Sequence, residues 1–257
     1  MPEPLKGKTA LVTGASKGIG KGIALELARA GCDVAINYHS DAEGAGTVAA
    51  EIGALDRRAF PVRADVGVAA EVDAMFAQVF HRFGRLDILV NNAGTQVFKP
   101  LVDLEEEEWD RVIATNLRGC FLCTQRAARH MRDQGGGRIV NIGSGCNRAP
   151  FPVLVSYTAS KGGIEMFTKV AAVELGPYHI TVNCLAPGAI EIERTHREQG
   201  ADFAATWSRL TPVGRIGYPE DVAHAVVFLA GDRAGFITGQ TIWIDGGLFT
   251  KPQWPYE

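Results

Sequence analysis

The stretch T-G-A-S-K-G-I-G at residues 13–20 decides the fold of this 257-residue chain. It ends a short apolar run at residues 9–13 that has the pattern of a buried strand, and it leads into a helical pattern over residues 21–30. A glycine-rich turn between a strand and a helix lets the backbone approach a pyrophosphate, which then sits on the amide donors at the start of the helix. The order of strand, glycine turn and helix therefore predicts a dinucleotide site near the beginning of the chain.

The same alternation of strand and helix continues along the whole chain. Short β-branched apolar runs lie at residues 9–13, 34–38, 59–62, 88–90, 138–142, 181–184 and 241–244. Strands that are apolar on both faces and separated by helical stretches predict one parallel sheet with helices on both sides, the doubly wound α/β arrangement. We expect a single domain over residues 1–257, with ligands at the carboxyl ends of the strands where the strand order reverses.

Two stretches depart from this alternation. Residues 189–217 are rich in charge and have no strand pattern, and a connection of this length inside a compact domain is usually a functional lid. We therefore expect residues 189–217 to cover the substrate. Residues 248–257 carry Phe249, Trp254 and Tyr256, and this density of aromatic side chains predicts a tail that docks on another surface, such as a neighbouring subunit.

The composition excludes several classes of protein. Apolar residues make up 46% of the chain and charged residues 21%, which is typical of globular proteins and not of disordered chains. The net charge of −3, without a run of Lys or Arg, argues against nucleic acid as a partner. No apolar stretch approaches the roughly 20 residues that cross a bilayer. The five scattered cysteines fit a reducing compartment, so we expect a cytoplasmic protein with no membrane partner and no metal site.

A tyrosine and a lysine four residues apart are the candidates for proton transfer. Tyr157 and Lys161 lie in a helical pattern, which puts both side chains on one face, about 5–6 Å apart at Cβ. A free phenol loses its proton only near pH ~10, and an adjacent ammonium stabilises the phenolate form. Ser144 directly follows the fifth strand run, which places its hydroxyl at the ligand-binding edge of the sheet. These residues favour proton transfer near neutral pH.

Together these motifs resemble the short-chain dehydrogenase/reductase family over essentially the whole chain. The resemblance rests on residues 13–20, Asp65-Val66, N-N-A-G at residues 91–94, Asn116, Ser144, Y-T-A-S-K at residues 157–161, Pro187-Gly188 and D-G-G at residues 245–247. It implies a Rossmann-like sheet of seven parallel strands and hydride transfer between a nicotinamide cofactor and an alcohol or carbonyl substrate. The catalytic set that it implies is Asn116, Ser144, Tyr157 and Lys161. In that set, Ser144 would bond the substrate oxygen and Asn116 would hold a water in the proton relay.

The resemblance also assigns residues to the cofactor. Asp65 and Val66 would hold the adenine, residues 92–94 would line the cofactor strand, and Pro187, Gly188 and Ile190 would place the nicotinamide. The full cofactor set is Thr13, Gly14, Ser16, Lys17, Gly18, Ile19, Gly20, Tyr38, His39, Ser40, Asp65, Val66, Asn92, Ala93, Gly94, Tyr157, Lys161, Pro187, Gly188 and Ile190. One position departs from the family, because Ile192 stands where many members carry a threonine that contacts the cofactor. Thr195 would supply that contact after a shift of the lid.

The charge at the end of the second strand predicts which dinucleotide binds. A carboxylate there accepts the ribose hydroxyls of NAD and repels the additional phosphate of NADP. Tyr38 occupies that position in this chain, and Lys17 supplies a cation nearby. We therefore expect NADP(H). NAD(H) stays the alternative, because Asp41 would restore its binding if the strand ran a few residues further.

The sequence leaves the small-molecule substrate open. The charged side chains of the expected lid are Glu191, Glu193, Arg194, His196 and Arg197. They favour a sugar or another small polyhydroxy compound, and residues 187–190 resemble those of sugar 1-dehydrogenases. The second interpretation is a 3-oxoacyl carrier-protein reductase, for which Arg126, Arg129 and Arg132 would form a basic surface on a helix. The third is a non-catalytic dinucleotide-binding scaffold.

The resemblance also predicts how the chain assembles. The helical patterns at residues 116–132 and 156–175 correspond to the helices through which family members form dimers and then tetramers. We therefore expect a homotetramer.

Overall fold

The computed structural model describes residues 3–200 and 202–250, and its centre is a parallel sheet of seven strands. The strands are β1 (Thr9–Val12), β2 (Asp33–Tyr38), β3 (Ala59–Arg63), β4 (Ile88–Asn91), β5 (Gly137–Ile142), β6 (Ile180–Pro187) and β7 (Thr241–Ile244). Their order across the sheet is β3-β2-β1-β4-β5-β6-β7. All seven predicted strands are present, and the predicted doubly wound α/β domain is confirmed.

Helices cover both faces of this sheet. They are α1 (Gly18–Arg29), α2 (Ala42–Gly53), α3 (Ala69–Phe83), α4 (Glu106–Ile113), α5 (Gly119–Asp133), α6 (Val155–Leu175), α7 (Glu193–Gln199), α8 (Phe203–Leu210) and α9 (Pro219–Ala230). Alternate strand residues point to opposite layers: Val34 and Ile36 pack with α1, α2 and α9, whereas Ala35 packs with α3, α5 and α6. Because both faces are buried, the strands are apolar throughout. Within the described residues, no helix is long and apolar enough to cross a membrane.

The strand order reverses beside β1. The chain passes from β1 to β2 and β3 on one side and then returns to place β4 on the other side of β1. The connections that leave the carboxyl ends of β1 and β4 therefore run in opposite directions, and this opens a crevice at that edge of the sheet.

Residues 189–217, predicted as a lid, leave the sheet and return to the same place. They contain α7 and α8, and an isolated parallel β-bridge joins Ile190 to Gly217. The Glu191 N–H donates to the Gly217 carbonyl at 2.8 Å, and the Gly217 N–H donates to the Ala189 carbonyl at 3.0 Å. The two ends of the segment are thus joined at a common base beside β6.

Candidate active site

A cavity of about 550 Å³ occupies the crevice at the carboxyl ends of the strands. Most of the predicted site residues line it: Gly14, Ser16, Lys17, Gly18, Ile19, Gly20, Tyr38, His39, Ser40, Asn92, Ala93, Gly94, Ser144, Tyr157, Lys161, Pro187, Gly188 and Ile190. Thr13, Asp65, Val66 and Asn116 do not line it. Among the described residues, no group of three or more His, Cys, Asp or Glu side chains is arranged to hold a metal ion.

The glycine turn has a shape that only glycine adopts easily. Gly14 and Gly18 have φ values of 61° and 57°, in the left-handed region that costs other residues about 1–2 kcal/mol. A Cβ on Gly14 would also lie 2.9 Å from the Ala93 Cα. Helix α1 then begins at Gly18 without a side-chain cap and without an acidic residue in its first turn. Its first amides therefore have no anionic partner from the helix itself, and this end of the cavity fits a pyrophosphate.

Thr13 and Asn92 hold this turn in place. The Thr13 hydroxyl accepts hydrogen bonds from the Asn92 N–H at 2.9 Å and the Ala93 N–H at 3.0 Å. The Asn92 side-chain amide donates to the carbonyls of Thr13 and Gly14 at 2.9 and 3.0 Å. Thr13, predicted to contact the cofactor, lies behind the cavity, where it joins the end of β1 to the end of β4.

The cation expected to select NADP(H) is already paired. Lys17 Nζ lies 3.2 Å from Asp41 Oδ2. Asp41 also caps α2, since its Oδ1 accepts from the Gly44 N–H at 3.0 Å. The Gly44 amide and then Lys17 hold the pKa of the Asp41 carboxyl below its usual range. Strand β2 ends at Tyr38, so Asp41 does not extend the strand, yet its side chain lines the cavity.

The two residues predicted to hold the adenine, Asp65 and Val66, lie outside the lining of the cavity. Asp65 Oδ1 accepts from the Gly67 N–H at 2.8 Å, and its Oδ2 lies 3.9 Å from His39 Nε2. Val66 is buried, and a Cβ on Gly119 would touch its side chain. His39, the neighbour of Asp65, lines the cavity, whereas Asp65 and Val66 do not.

Ser144, Tyr157 and Lys161 all line the cavity. Ser144 follows β5 and caps a short 3-10 turn, with its Oγ accepting from the Cys146 N–H at 3.2 Å. Tyr157 and Lys161 lie on successive turns at the start of α6, and Lys161 Nζ is 5.5 Å from the centre of the Tyr157 ring. Lys161 is only 4% exposed, and its Nζ donates to the Ile142 carbonyl at 2.7 Å. A buried cation is thus held beside a phenol, as the spacing predicts.

Asn116 lies on a π-helical segment, Ala114–Arg118, between α4 and α5. Its side-chain amide donates to the Thr95 carbonyl and to Ser160 Oγ, both at 2.9 Å, and its Oδ1 accepts from the Thr95 N–H at 2.8 Å. These bonds join the stretch after β4 to the helix that carries Tyr157. The expected relay role of Asn116 stays a proposal, because the side chain is 1% exposed and committed to protein partners.

Cys184, a thiol close to the cavity-lining stretch after β5, is not prepared for nucleophilic chemistry. Cys184 lies on β6, where its Sγ is 3.8 Å from the Asn147 amide nitrogen. Burial raises the pKa of the Cys184 thiol to about 11. The residue therefore stays protonated at neutral pH and packs as a small apolar side chain.

The other end of the cavity is lined by rings that the sequence did not single out as a group. We call Phe151, Phe203, Trp207 and Phe249 the aromatic wall; all four line the cavity. Ring centres lie 6.2 Å apart for Phe203 and Trp207, 6.3 Å for Trp207 and Phe151, and 6.0 Å for Phe151 and Phe249. These residues come from the loop before α6, from α8 and from the C-terminal stretch. No local sequence signal connects segments this far apart, and the sequence points only to Phe249, as part of the aromatic tail.

Two of the remaining predicted residues, Ile192 and Thr195, lie in the described part of the lid. Ile192 lines the cavity, and the Thr195 hydroxyl donates to the Ile192 carbonyl at 2.7 Å. Thr195 is thus engaged at the start of α7, and the cofactor contact expected from it stays a prediction. The His196 side chain, Trp254 and Tyr256 lie outside the described residues.

Comparisons with known proteins agree with this geometry. A family model described as "Enoyl-(Acyl carrier protein) reductase" matches residues 14–249. The 3-oxoacyl-[acyl-carrier-protein] reductase FabG of Staphylococcus aureus is 44% identical over 242 residues, covering 94% of this chain and 98% of the relative. The 3beta-hydroxysteroid dehydrogenase 1 of Eggerthella lenta is 42% identical over 255 residues, covering 98% and 97%.

A solved structure extends the likeness to the fold. The short-chain dehydrogenase/reductase of Serratia marcescens BCRC 10948 superposes with a TM-score of 0.89 at 40% identity, covering 96% of this chain and 99% of that one. The chain therefore belongs to the short-chain dehydrogenase/reductase family, whose members are oxidoreductases that bind NAD(P)(H) and act on CH–OH or C=O groups.

Proposed function

We propose that this chain transfers a hydride between NADP(H) and an alcohol or carbonyl group carried on an apolar skeleton. The observation that carries the proposal is the aromatic wall, which lies in the same cavity as Ser144, Tyr157 and Lys161. A polyhydroxy compound would lose hydrogen bonds to water that aromatic rings do not replace. The aromatic wall therefore favours an apolar substrate over the sugar that the charged lid residues led us to expect.

The charged lid residues approach the cavity from its other side. A Cβ on Gly18 would lie 3.6 Å from Ile192 Cδ1, so Ile192 packs beside the glycine turn. Helix α7 begins directly after Ile192, and its residues Glu193 and Arg194 line the cavity from there. Both residues thus directly follow one that packs beside the glycine turn, where a dinucleotide would carry phosphates and ribose hydroxyls.

The proposed mechanism assigns one task to each side chain. The nicotinamide, when bound, supplies the hydride in reduction and accepts it in oxidation. Ser144 Oγ donates a hydrogen bond to the substrate oxygen, and the Tyr157 hydroxyl gives its proton to that oxygen as the alcohol forms. In oxidation the Tyr157 phenolate removes the same proton. Lys161, fixed by the Ile142 carbonyl, stabilises the phenolate electrostatically.

We favour NADP(H) over NAD(H) because no carboxylate stands at the end of β2. Tyr38 ends the strand, and Lys17 in the glycine turn lines the same end of the cavity. The Lys17–Asp41 pair reduces this preference, since part of the lysine charge is already neutralised. Binding of the additional phosphate would therefore compete with Asp41 for Lys17.

A second candidate function is reduction of a 3-oxoacyl thioester, which the 44% identity with FabG supports. The expected basic surface on α5 is weaker than its sequence suggests. Arg126 Nε lies 2.8 Å from Asp73 Oδ1, and Arg132 Nε lies 3.1 Å from Asp133 Oδ1. Two of the three arginines are thus paired with acidic residues, which leaves less positive charge for an acidic carrier protein.

We also propose a homotetramer in the cytoplasm. Phe121 on α5 and Met166, Val170 and Val173 on α6 are exposed apolar side chains on the helices predicted to pair copies of the chain. The five cysteines are free and buried, which fits a reducing compartment. Light scattering tests the assembly, and a monomer at micromolar concentration would contradict it.

The proposed function is tested by following nicotinamide absorbance with a panel of carbonyl compounds and alcohols. The panel contains aryl and alicyclic ketones, an acetoacetyl thioester, aldoses and polyols, each with NADP(H) and with NAD(H). We expect turnover of the apolar ketones with NADPH. Preferential turnover of the thioester would support the second candidate, and preferential oxidation of an aldose would overturn the apolar assignment.

A further inference from the structure

The C-terminal stretch contributes one firmly held ring to the cavity. Phe249 lies edge to face with Phe151, with an interplanar angle of 79°, and its other neighbour is Trp243 at 6.3 Å. Its N–H donates to Asp245 Oδ2 at 3.0 Å. Asp245 also accepts from the Gly247 N–H at 2.9 Å. The D-G-G motif thus forms the turn that directs Phe249 back into the cavity.

Gly145 makes room for this ring. A Cβ built on Gly145 would overlap Phe249, and the three atoms nearest to that Cβ all belong to the Phe249 ring. The φ of Gly145 lies outside the left-handed region, so the backbone does not require glycine there. What the position requires is the absence of a side chain. This allows Phe249 to lie against the backbone of the residue that directly follows Ser144.

This contact places Phe249 one residue from the proposed oxygen-binding serine. A carbonyl group held by Ser144 and Tyr157 would direct one of its two substituents toward Gly145 and the ring that covers it. Well-packed rings do not yield easily to added volume, because overpacking forces side chains out of their preferred conformations. The space available to that substituent is therefore set by Phe249.

We infer that Phe249, seated on Gly145, is a specificity-determining residue that limits the size of the substituent on the carbonyl carbon. The inference rests on the proposed function, since it takes the cavity as the substrate site. It deepens that function by predicting the substrate class: ketones in which one substituent is small and the other is bulky and apolar.

Two matched ketoesters test the inference. Ethyl 3-oxobutanoate carries a methyl group on the ketone carbon, and ethyl 3-oxo-3-phenylpropanoate carries a phenyl group at the same place. We expect Phe249→Ala to raise the ratio of kcat/KM, phenyl over methyl, by at least ~10-fold, a typical range for pocket discrimination. Phe249→Leu should lie between, and Phe228→Ala on the exposed face of α9 is the control.

A second measurement does not depend on turnover. Isothermal titration with each ketoester in the presence of NADP⁺ should show tighter binding of the phenyl compound to Phe249→Ala, by at least ~10-fold. Gly145→Ala should lower Tm, and Gly145→Ala/Phe249→Ala should return to the Tm of Phe249→Ala, because the overlap is then removed. A role in folding alone would change Tm and leave both ratios unchanged.

The outcomes separate this inference from the proposed function. Ratios of turnover and binding in Phe249→Ala within twofold of wild type would overturn the specificity role, while turnover by the wild type would uphold the reaction. Absence of turnover by the wild type, with the binding ratio shifted as expected, would overturn the proposed function and keep Phe249 as the size-limiting residue.

Discussion

The two ends of the cavity differ in whether backbone or side chains determine their shape. The cofactor end is made of backbone, in the turn between β1 and α1 where Gly14 and Gly18 take positive φ values. The substrate end is made of side chains, in the aromatic wall that joins residues distant in sequence. Backbone geometry admits few substitutions, whereas a wall of rings can be resized. We therefore expect changes at the first end to weaken cofactor binding and changes at the second to alter substrate specificity.

The largest effect should come from Tyr157, the proposed proton donor. Tyr157→Phe removes the proton donor, and we expect kcat to fall by about 10²–10⁴-fold, the usual contribution of a positioned acid or base. The dissociation constant of NADPH should change far less than kcat, because the substitution keeps the ring and removes only its hydroxyl. Steady-state kinetics and a fluorescence titration measure the two quantities. Tyr178→Phe, at an exposed tyrosine, is the control. A kcat within tenfold of wild type would contradict the assignment.

The next effect concerns the backbone at the cofactor end. Gly14→Ala puts a Cβ on a residue with positive φ and brings it 2.9 Å from the Ala93 Cα. The turn must then move, and we expect NADPH binding to weaken by at least ~10-fold, or about 1.4 kcal/mol. Gly46→Ala within α2 is the matched control, because its Cβ meets no neighbour and Ala suits a helix better than Gly. Equal binding by both variants would refute the difference between the two ends.

A smaller effect should separate the two cofactors. Lys17→Ala removes the cation expected to favour the additional phosphate, so the ratio of kcat/KM for NADPH over NADH should fall by about 10-fold. Asp41→Asn keeps an N-cap for α2 while freeing Lys17, and the same ratio should rise. Movement of both ratios in one direction would show that this pair does not select the cofactor.

The smallest effect is expected at the base of the lid. Arg215 Nη1 and Nη2 each lie 2.7 Å from an Asp221 carboxylate oxygen, and the Tyr218 N–H donates to Asp221 Oδ2 at 2.8 Å. The hydrogen-bonded Arg215 guanidinium is the main reason that the pKa of the Asp221 carboxyl lies below its usual range. We expect Asp221→Asn to lower Tm by roughly 2 °C at pH 7.

The pH dependence of that difference has a definite sign. Because the folded-state pKa of Asp221 is lowered, its stabilisation is complete above the usual aspartate range, near ~3.9, and is lost as the pH falls through the lowered value. The Tm values of wild type and Asp221→Asn should therefore converge only in acid. A constant difference down to acid pH would exclude the Asp221 charge as its source.

Sequence and structure agree best where the signal is local. The strand before the glycine turn, the i,i+4 pair of Tyr157 and Lys161, and Ser144 after β5 all depend on short-range spacing, and the structure brings them to one cavity. The cofactor contact predicted for Thr13 stays a prediction, since its hydroxyl bonds to the Asn92 and Ala93 amides and the residue does not line the cavity. The sequence identified Lys17 as a cation near the end of β2 but not its ion pair with Asp41, because the distance between the two side chains is not visible in the spacing of residues.

The sequence by itself determined the alternation of strands and helices along the chain, the glycine turn after β1 and the tyrosine–lysine pair on one helix face, since each follows from periodicity and from the backbone freedom of glycine. Only the tertiary structure decided the character of the substrate end. Phe151, Trp207 and Phe249 meet because the loop before α6, the lid and the C-terminal stretch converge at one edge of the sheet. Their meeting depends on packing between segments far apart in sequence, which no local pattern encodes.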